Sequence, residues 1–392
     1  MDKRIIKDGI YWLGALDWDR RLFDSLVPLP DGTTYNAYLV EGSEKTALLD
    51  TVDPAMVGEL LHQLRDIKRI DYIISQHTEQ DHSGTIPLLL ERYPEAQVLA
   101  TAKGKSLLID HLRLAEDRIT AVADGETLSL GNRNLRFIHT PWVHWPETMC
   151  TYLEEERILF SCDFFGAHIA ASELFVTDQC RVYEAAKRYF GEIMLPFRAI
   201  IGKNLEKLAN LPIDIIAPSH GQIYDQPAWI LEAYTDWALH PPQNLVLLPY
   251  VTMHGSTALM VDHLTEALIT RGVQVERFNL TVTDIGKLAM VLVDAATIVV
   301  GTPTVLAGPH PLAAYATFLA NALRPKAMFL SIIGSYGWGG KTVETLAGMT
   351  GNLKAEVLEP VLCKGLPDEA AYAALDRLAD TIAAKHKEKG LA

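Results

Sequence analysis

The chain has 392 residues, 49% of them hydrophobic and 21% charged, with 35 Lys plus Arg against 49 Asp plus Glu and a net charge of −14. That length suits two domains, each with its own core. The acidity excludes a broad attraction to nucleic acid or an anionic membrane, and no apolar run is long enough to span a bilayer.

The N-terminus, "MDKRIIKDGIYW", has no apolar signal core, so a cytoplasmic protein is expected. Short β-like runs follow: "TTYNAYLVEG", "KTALLDTV", "IDYIISQ", "NLRFIHT" and "TYLEEERILFSC". Helical patterns at 54–66, 85–92 and 102–114 lie between some of them. Many strands with a few covering helices predict an αββα sandwich rather than a simple βαβ array. A helix is predicted over 228–239, ended by Pro241-Pro242, which reads as a linker. The expected domains are 1–242 and 243–392.

Beyond the linker the chain alternates strand and helix. "LVLLPY", "VQVERFN", "ATIVVG", "KAMFLSII" and "AEVLEPVL" are predicted strands. Helices are predicted at 257–271, 283–294, 311–322, 340–349 and 367–387, with "KHKEKG" as a frayed end. Five mostly apolar strands alternating with helices imply a doubly wound parallel sheet. The four cysteines, Cys150, Cys162, Cys180 and Cys363, form no C-x-x-C pair. A disulfide framework, a zinc knuckle and a four-thiolate iron site are therefore not encoded.

The chemistry concentrates in "SQHTEQDHSG", residues 75–84. His77, Glu79 and Asp81 are two apart, a spacing that in extended chain points all three to one side. His82 adds a ligand, and Gly84 lets the chain turn into a helix. Alone, the stretch fits a metal site or a solvated polar loop. Three further places carry a ligand-type residue near a strand end. These are His144 in "PWVHWPETM", between Trp142 and Trp145, Asp163 in "LFSCDFFG", and His220 in "IIAPSHG".

H-x-E-x-D-H followed by a single His, Asp and His resembles the metallo-β-lactamase fold over nearly all of 1–240, with "LLDTV" around Asp50 similar to that fold's structural aspartate strand. Hydrolases of the fold usually carry H-x-H-x-D-H. Glu79 in the second position hardens the site and favours iron over zinc. The resemblance implies His77, Glu79 and His144 for one metal, Asp81, His82 and His220 for the other, and Asp163 as bridge. With "HWPETM" and "DFFG", the pattern resembles the flavodiiron proteins, or A-type flavoproteins.

That resemblance implies a flavin domain in the second half. "YVTMHGST" opens a helix after the first strand, with Thr252, Met253, His254, Gly255, Ser256 and Thr257 placed like an FMN phosphate loop of flavodoxins. Taken alone, Ser256 or Thr257 also fits a plain helix cap. "GTPTVLAGPHP" supplies Thr302, Pro303, Thr304, Leu306 and Gly308, and "GSYGWGGKT" supplies Ser335, Tyr336, Gly337, Trp338 and Gly339. Both loops lie at C-terminal strand ends, where open α/β sheets bind ligands. Leu306 departs from the asparagine that relatives often carry.

The resemblance implies an oxidoreductase that reduces O2 to water, NO to N2O, or both, with electrons passing through FMN to two irons. With no fused rubredoxin encoded, it implies a rubredoxin-like donor or a reduced deazaflavin. It also implies a head-to-tail homodimer or a dimer of dimers, in which one subunit's flavin meets the other's irons. Two other readings stand beside it: a hydrolase with a flavodoxin-like appendage, and an FMN electron carrier with a structural metal site. The remaining histidines, among them His111, His139, His168 and His386, show no partner pattern and are expected on the surface or as core filling.

Overall fold

In the computed structural model, which describes Met1–Ala392, alternating apolar residues of the first half close two sheets on each other. One sheet has seven strands in the order 4–7, 10–12, 38–41, 46–49, 72–74, 97–100, 119–121. The other has five, in the order 127–129, 134–139, 149–153, 158–162, 215–218. Trp12, Tyr38, Leu49, Ile74 and Leu99 meet Phe137, Leu153, Phe160 and Ala217 in a shared buried core. Burying two such inner faces on each other is the dominant stabilising term of a sandwich. The last four strands of the larger sheet run parallel, joined through Val57–Gln63, Ile86–Arg92 and Ala102–Leu112. The αββα sandwich expected from the sequence is the fold of this half.

"TYLEEERILFSC" forms two antiparallel strands, 149–153 and 158–162, because the polar "EEER" between them turns with Arg157 at φ +55°. The predicted helix at 54–66 is a short 3-10 turn, Pro54–Met56, and then Val57–Gln63, while Ala228–Leu239 matches its prediction. The helices Gln179–Tyr189 and Arg198–Leu208 were not foreseen.

By its internal contacts the chain forms two units: Met1–Tyr189 with Phe197–Ala238, and Phe190–Pro196 with Leu239–Ala392. Gly191 explains the small excursion. A Cβ there would lie 2.6 Å from the Ala289 carbonyl oxygen, so only glycine lets Phe190–Met194 lie on the helix Ile285–Leu292.

The second unit is a parallel sheet in the order 274–279, 243–250, 295–301, 329–336, 356–357, with 361–364 also pairing to 329–336. This is the flavodoxin-like arrangement expected for a doubly wound sheet. One expected strand, "AEVLEPVL", is broken. Glu356–Val357 and Val361–Lys364 pair separately, because Pro360 lacks the N–H a continuous ladder needs.

The expected frayed tail is also corrected. Glu369–Glu388 is one helix, and His386 is fully buried. Its Nδ1–H donates to Asn244 Oδ1 at 2.8 Å, and the Thr297 hydroxyl donates to Nε2 at 2.7 Å. Burial pushes its imidazole down to about 4, so the ring stays neutral and fastens the last turn to the sheet. No helix is long and apolar enough to cross a membrane.

Candidate metal centre and flavin loops

Seven ligand-type side chains from four segments gather in the first unit. The strand Tyr72–Ile74 delivers "SQHTEQDH", and Asp50 fixes the path of that loop. Asp50 is buried at φ +52° and accepts from the Gln76 backbone N–H and side-chain amide, each at 2.8 Å. Burial pushes its carboxyl up despite those donors. Extended chain ends at Glu79, which caps the short helix Gln80–Ser83. Asp81 and His82 therefore project from a helical turn, not from the extended run assumed from their spacing. This turn sends them to a different cluster from His77 and Glu79.

The first cluster is His77, Glu79, His144 and Asp163; the second is Asp81, His82 and His220, with ligand atoms in each within 4.8 Å of one another. His77 Nε2 lies 3.1 Å from Glu79 Oε2 and 3.6 Å from Asp163 Oδ2. His144 Nε2 lies 3.2 Å from each of the same two oxygens. On the other side His82 Nε2 is 3.1 Å and His220 Nε2 3.5 Å from Asp163 Oδ1, and both are 3.3 Å from Asp81 Oδ2. Asp163 thus turns one oxygen to each cluster.

These spacings suit metal ions. Bonds of about 2.1 Å put neighbouring ligand atoms about 3.4 Å apart in a tetrahedral shell and about 3.0 Å apart in an octahedral one. Protein partners do not account for the atoms themselves. Asp163 Oδ1, both Asp81 oxygens and both His82 nitrogens are buried without a hydrogen bond. Buried polar atoms rarely stay unmatched, and buried carboxylates are paired or hold metals. With three carboxylates so near, His77, His82 and His144 hold protons tightly. Burial opposes charge on His82, yet Asp81 and Asp163 raise it to about 10. Burial likewise raises the Asp163 carboxyl, but His82, His144 and His77 together hold it well below the usual range. A cation displaces those protons when it binds.

The placing of His220 and His144 is equally specific. His220 follows the strand Ile215–Pro218, whose end is tied by Asn36 Nδ2 and the Tyr38 hydroxyl to the Pro218 carbonyl at 2.8 and 2.6 Å. Its Nδ1–H donates to the Thr34 carbonyl at 2.6 Å. His144 sits in the 141–148 loop, closed by Trp142 N–H on the Trp145 carbonyl at 2.7 Å. The Trp145 ring stands edge-on to His77 at 5.0 Å, while Trp142 is half exposed and stacks on Phe197.

Sequence reasoning missed five side chains here. His168, set aside as filler, packs 4.8 Å from His220, with Nδ1 2.9 Å from Thr33 Oγ1. Burial holds it well below its ordinary value. Its Nε2 and the hydroxyls of Tyr35 and Tyr189 are buried without partners beside His220. Asp24 lies against Glu79, and loss of solvent with the Glu79 and Asp81 charges pushes it up to about 6. Glu147 holds His77 from behind. Only Glu147 left a signal, as the acid of "HWPETM".

In the second unit the three predicted loops follow the adjacent strands 243–250, 295–301 and 329–336. Gly255 takes φ +92° before Ser256–Thr270, and Thr252 Oγ1 accepts from the Gly255 and Ala258 N–H groups at 3.2 and 3.3 Å. Thr257 is buried, its hydroxyl 3.3 Å from that of Ser335, which joins the first loop to the third. Thr302 spends its hydroxyl on Pro303 O and His310 N, and Thr304 pairs with Thr342 at 2.8 Å. The hydroxyls at 257 and 302 thus have protein partners, whereas Met253, Leu306 and Trp338 are exposed, Trp338 at 81%. Gly308 pairs with Val305 in a small hairpin, and His254, Gly337 and Gly339 lie in the open stretches of their loops. Thr304, Tyr336 and Gly339 line a cavity of about 340 Å³.

Residues 33–221 match the family model described as ODP family beta lactamase. A protein named nitric oxide reductase, from Moorella thermoacetica, is 38% identical over 362 residues, covering 90% of each chain. The solved rubredoxin oxygen:oxidoreductase of Desulfovibrio gigas superposes with a TM-score of 0.95 at 34% identity, covering 100% of both chains. The flavodiiron protein of Giardia intestinalis superposes with a TM-score of 0.92 at 25% identity, over 99% of this chain and 98% of that one.

Proposed function

Since the chain belongs to the flavodiiron proteins and is an oxidoreductase, we propose that it reduces O2 to water, NO to N2O, or both, at two irons fed through FMN. His77, Glu79, His144 and Asp163 would hold one iron, and Asp163, Asp81, His82 and His220 the other. The observation that carries the reading is Asp163, whose two buried oxygens face two separate ligand sets at 3.1–3.6 Å. A structural site does not need the second set, and a zinc hydrolase of this fold does not need Glu79, whose hard carboxylate suits iron.

When bound, the irons and flavin supply the sites for the diatomic and the electrons: four for O2, two for a pair of NO molecules. The chain's own side chains do the rest. Glu79, Asp81 and Asp163 set the charge of the site and fix the spacing of its two halves. Tyr35 and Tyr189, their phenols kept protonated by burial, offer hydroxyl donors beside His220. His168 stays neutral and keeps that wall polar without adding charge. In the other unit, backbone N–H groups at the start of Ser256–Thr270 suit a phosphate. Tyr336 and Trp338 are available to cover the flavin ring.

The reading takes a rubredoxin-like protein or a reduced deazaflavin as the donor, and a head-to-tail homodimer or a dimer of dimers as the working form. Cys150, Cys162 and Cys363 are buried free thiols, which suits a reducing compartment such as the cytoplasm. The test is gas consumption by the iron- and flavin-loaded protein with reduced rubredoxin, and separately with a reduced deazaflavin. Sustained O2 or NO uptake with either donor is expected, and the faster donor identifies the physiological class. A reduced protein that consumes neither gas would leave it as an electron carrier.

A further inference from the structure

Glu147 has no place in the ligand set, yet it is 3% exposed and meets His77 on the side away from the other ligands. One oxygen, Oε1, accepts three hydrogen bonds: from His77 Nδ1 at 2.7 Å, the Thr78 backbone N–H at 3.1 Å and the Thr78 hydroxyl at 2.7 Å. The Glu147 backbone is pinned too, its carbonyl accepting from Thr101 Oγ1 at 2.9 Å. Thr101 in turn caps Ala102–Leu112 by accepting from Gly104 N–H at 3.0 Å. The second oxygen, Oε2, has no protein partner, and Glu147 lines a cavity of about 180 Å³ shared with Lys103, His139 and Thr148.

A neutral imidazole carries one ring proton. An ionised carboxylate only accepts, so Glu147 fixes that proton on Nδ1 and leaves the Nε2 lone pair facing Glu79 and Asp163. The other histidines lack this support. His220 donates to a neutral carbonyl, and His82 Nδ1 is buried without a partner. We infer that Glu147 is a positioning residue. Its charge holds the His77 tautomer and strengthens that imidazole as a donor, so the ligand set of His77, Glu79 and His144 binds its ion more tightly than the set of Asp81, His82 and His220. The two halves of the centre are thereby made unequal by an outer carboxylate that only one of them has.

This inference rests on the reading of the cluster as a diiron centre, and the experiment separates the two. Wild-type and Glu147→Gln proteins, stripped of metal, are titrated anaerobically with ferrous iron against a chromophoric chelator, and the loaded forms are compared by Mössbauer spectroscopy. The variant keeps the shape and an acceptor oxygen but loses the charge. Its tighter site is expected to weaken by about 10–100-fold, the usual cost of losing an outer partner, with the weaker site unchanged. One of the two quadrupole doublets should shift and the other should not. Two sites with wild-type affinities and an unchanged spectrum in the variant would overturn the inference alone. A wild type that takes up no pair of irons would overturn the diiron reading instead. If Glu147→Gln does not fold, Thr78→Val removes one donor to the same oxygen. It should weaken the same site by roughly threefold or more, and a wild-type affinity there would equally overturn the inference.

Discussion

Asp163→Asn leaves the chain folded but without either iron. Oδ2 faces His77 and His144, Oδ1 faces His82 and His220, and the side chain is 1% exposed. An amide keeps the volume but replaces one oxygen by an NH2 group, which cannot donate electrons to a metal and points its hydrogens at ligand atoms. The remaining oxygen serves one set at most, and the negative charge shared by both is gone. Losing an outer partner costs roughly 10–100-fold in affinity, so losing a shared inner one should exceed a hundredfold at each position. The purified variant is expected to hold less than about a tenth of the wild-type iron, and O2 and NO uptake should fall in proportion. Far-UV circular dichroism should be unchanged, because the surrounding core of Phe160, Ala217 and Leu49 does not depend on the carboxylate. A variant retaining two irons would remove Asp163 from the bridge.

Gly334→Ala separates the flavin half from the metal half. Gly334 lies in Phe329–Tyr336, and a Cβ there would overlap the Thr302 carbonyl oxygen. That crossing is tight because Thr302 N–H donates to Ile333 O at 2.9 Å while Thr302 Oγ1 holds His310 N–H at 3.0 Å. The added methyl must push apart the segments that lead into the 302–308 and 335–340 loops. Overpacking of this kind costs about 1–3 kcal/mol. The expected result is FMN affinity lower by at least tenfold, about 1.4 kcal/mol, with iron content unchanged. Fluorimetric FMN titration of the flavin-free protein measures it. Unaltered FMN binding would show that these loops are not the flavin site.

The legible parts of the molecule were those in which one local pattern settles one structure. His77, Glu79, Asp81 and His82 stand out because four ligand types in six residues are rare beside a strand end. The alternation after Pro242 reads directly as strand and helix. What stayed hidden depends on tertiary contact. Nothing local tells that Asp81 sits on a helical turn, since "EQDHS" has no apolar period. Nothing marks Glu147 as the partner of His77, 70 positions away, or His386 as a neutral core residue amid the lysines of "KHKEKG". His168 is as polar as any surface histidine, and only the walls of Tyr189 and His220 make it part of the site. The broken strand at Pro360 was readable from the proline, but the apolar residues on both sides outweighed it.

The central claim is that seven side chains hold a pair of irons. Its most direct test is iron, zinc and flavin per chain, measured by mass spectrometry and absorbance on protein purified from iron-replete cells. About two irons and one FMN per chain, with little zinc, is the result predicted from two ligand sets sharing Asp163. Zinc in both positions after iron-replete growth would contradict it and leave a hydrolase with a flavodoxin-like appendage as the better account.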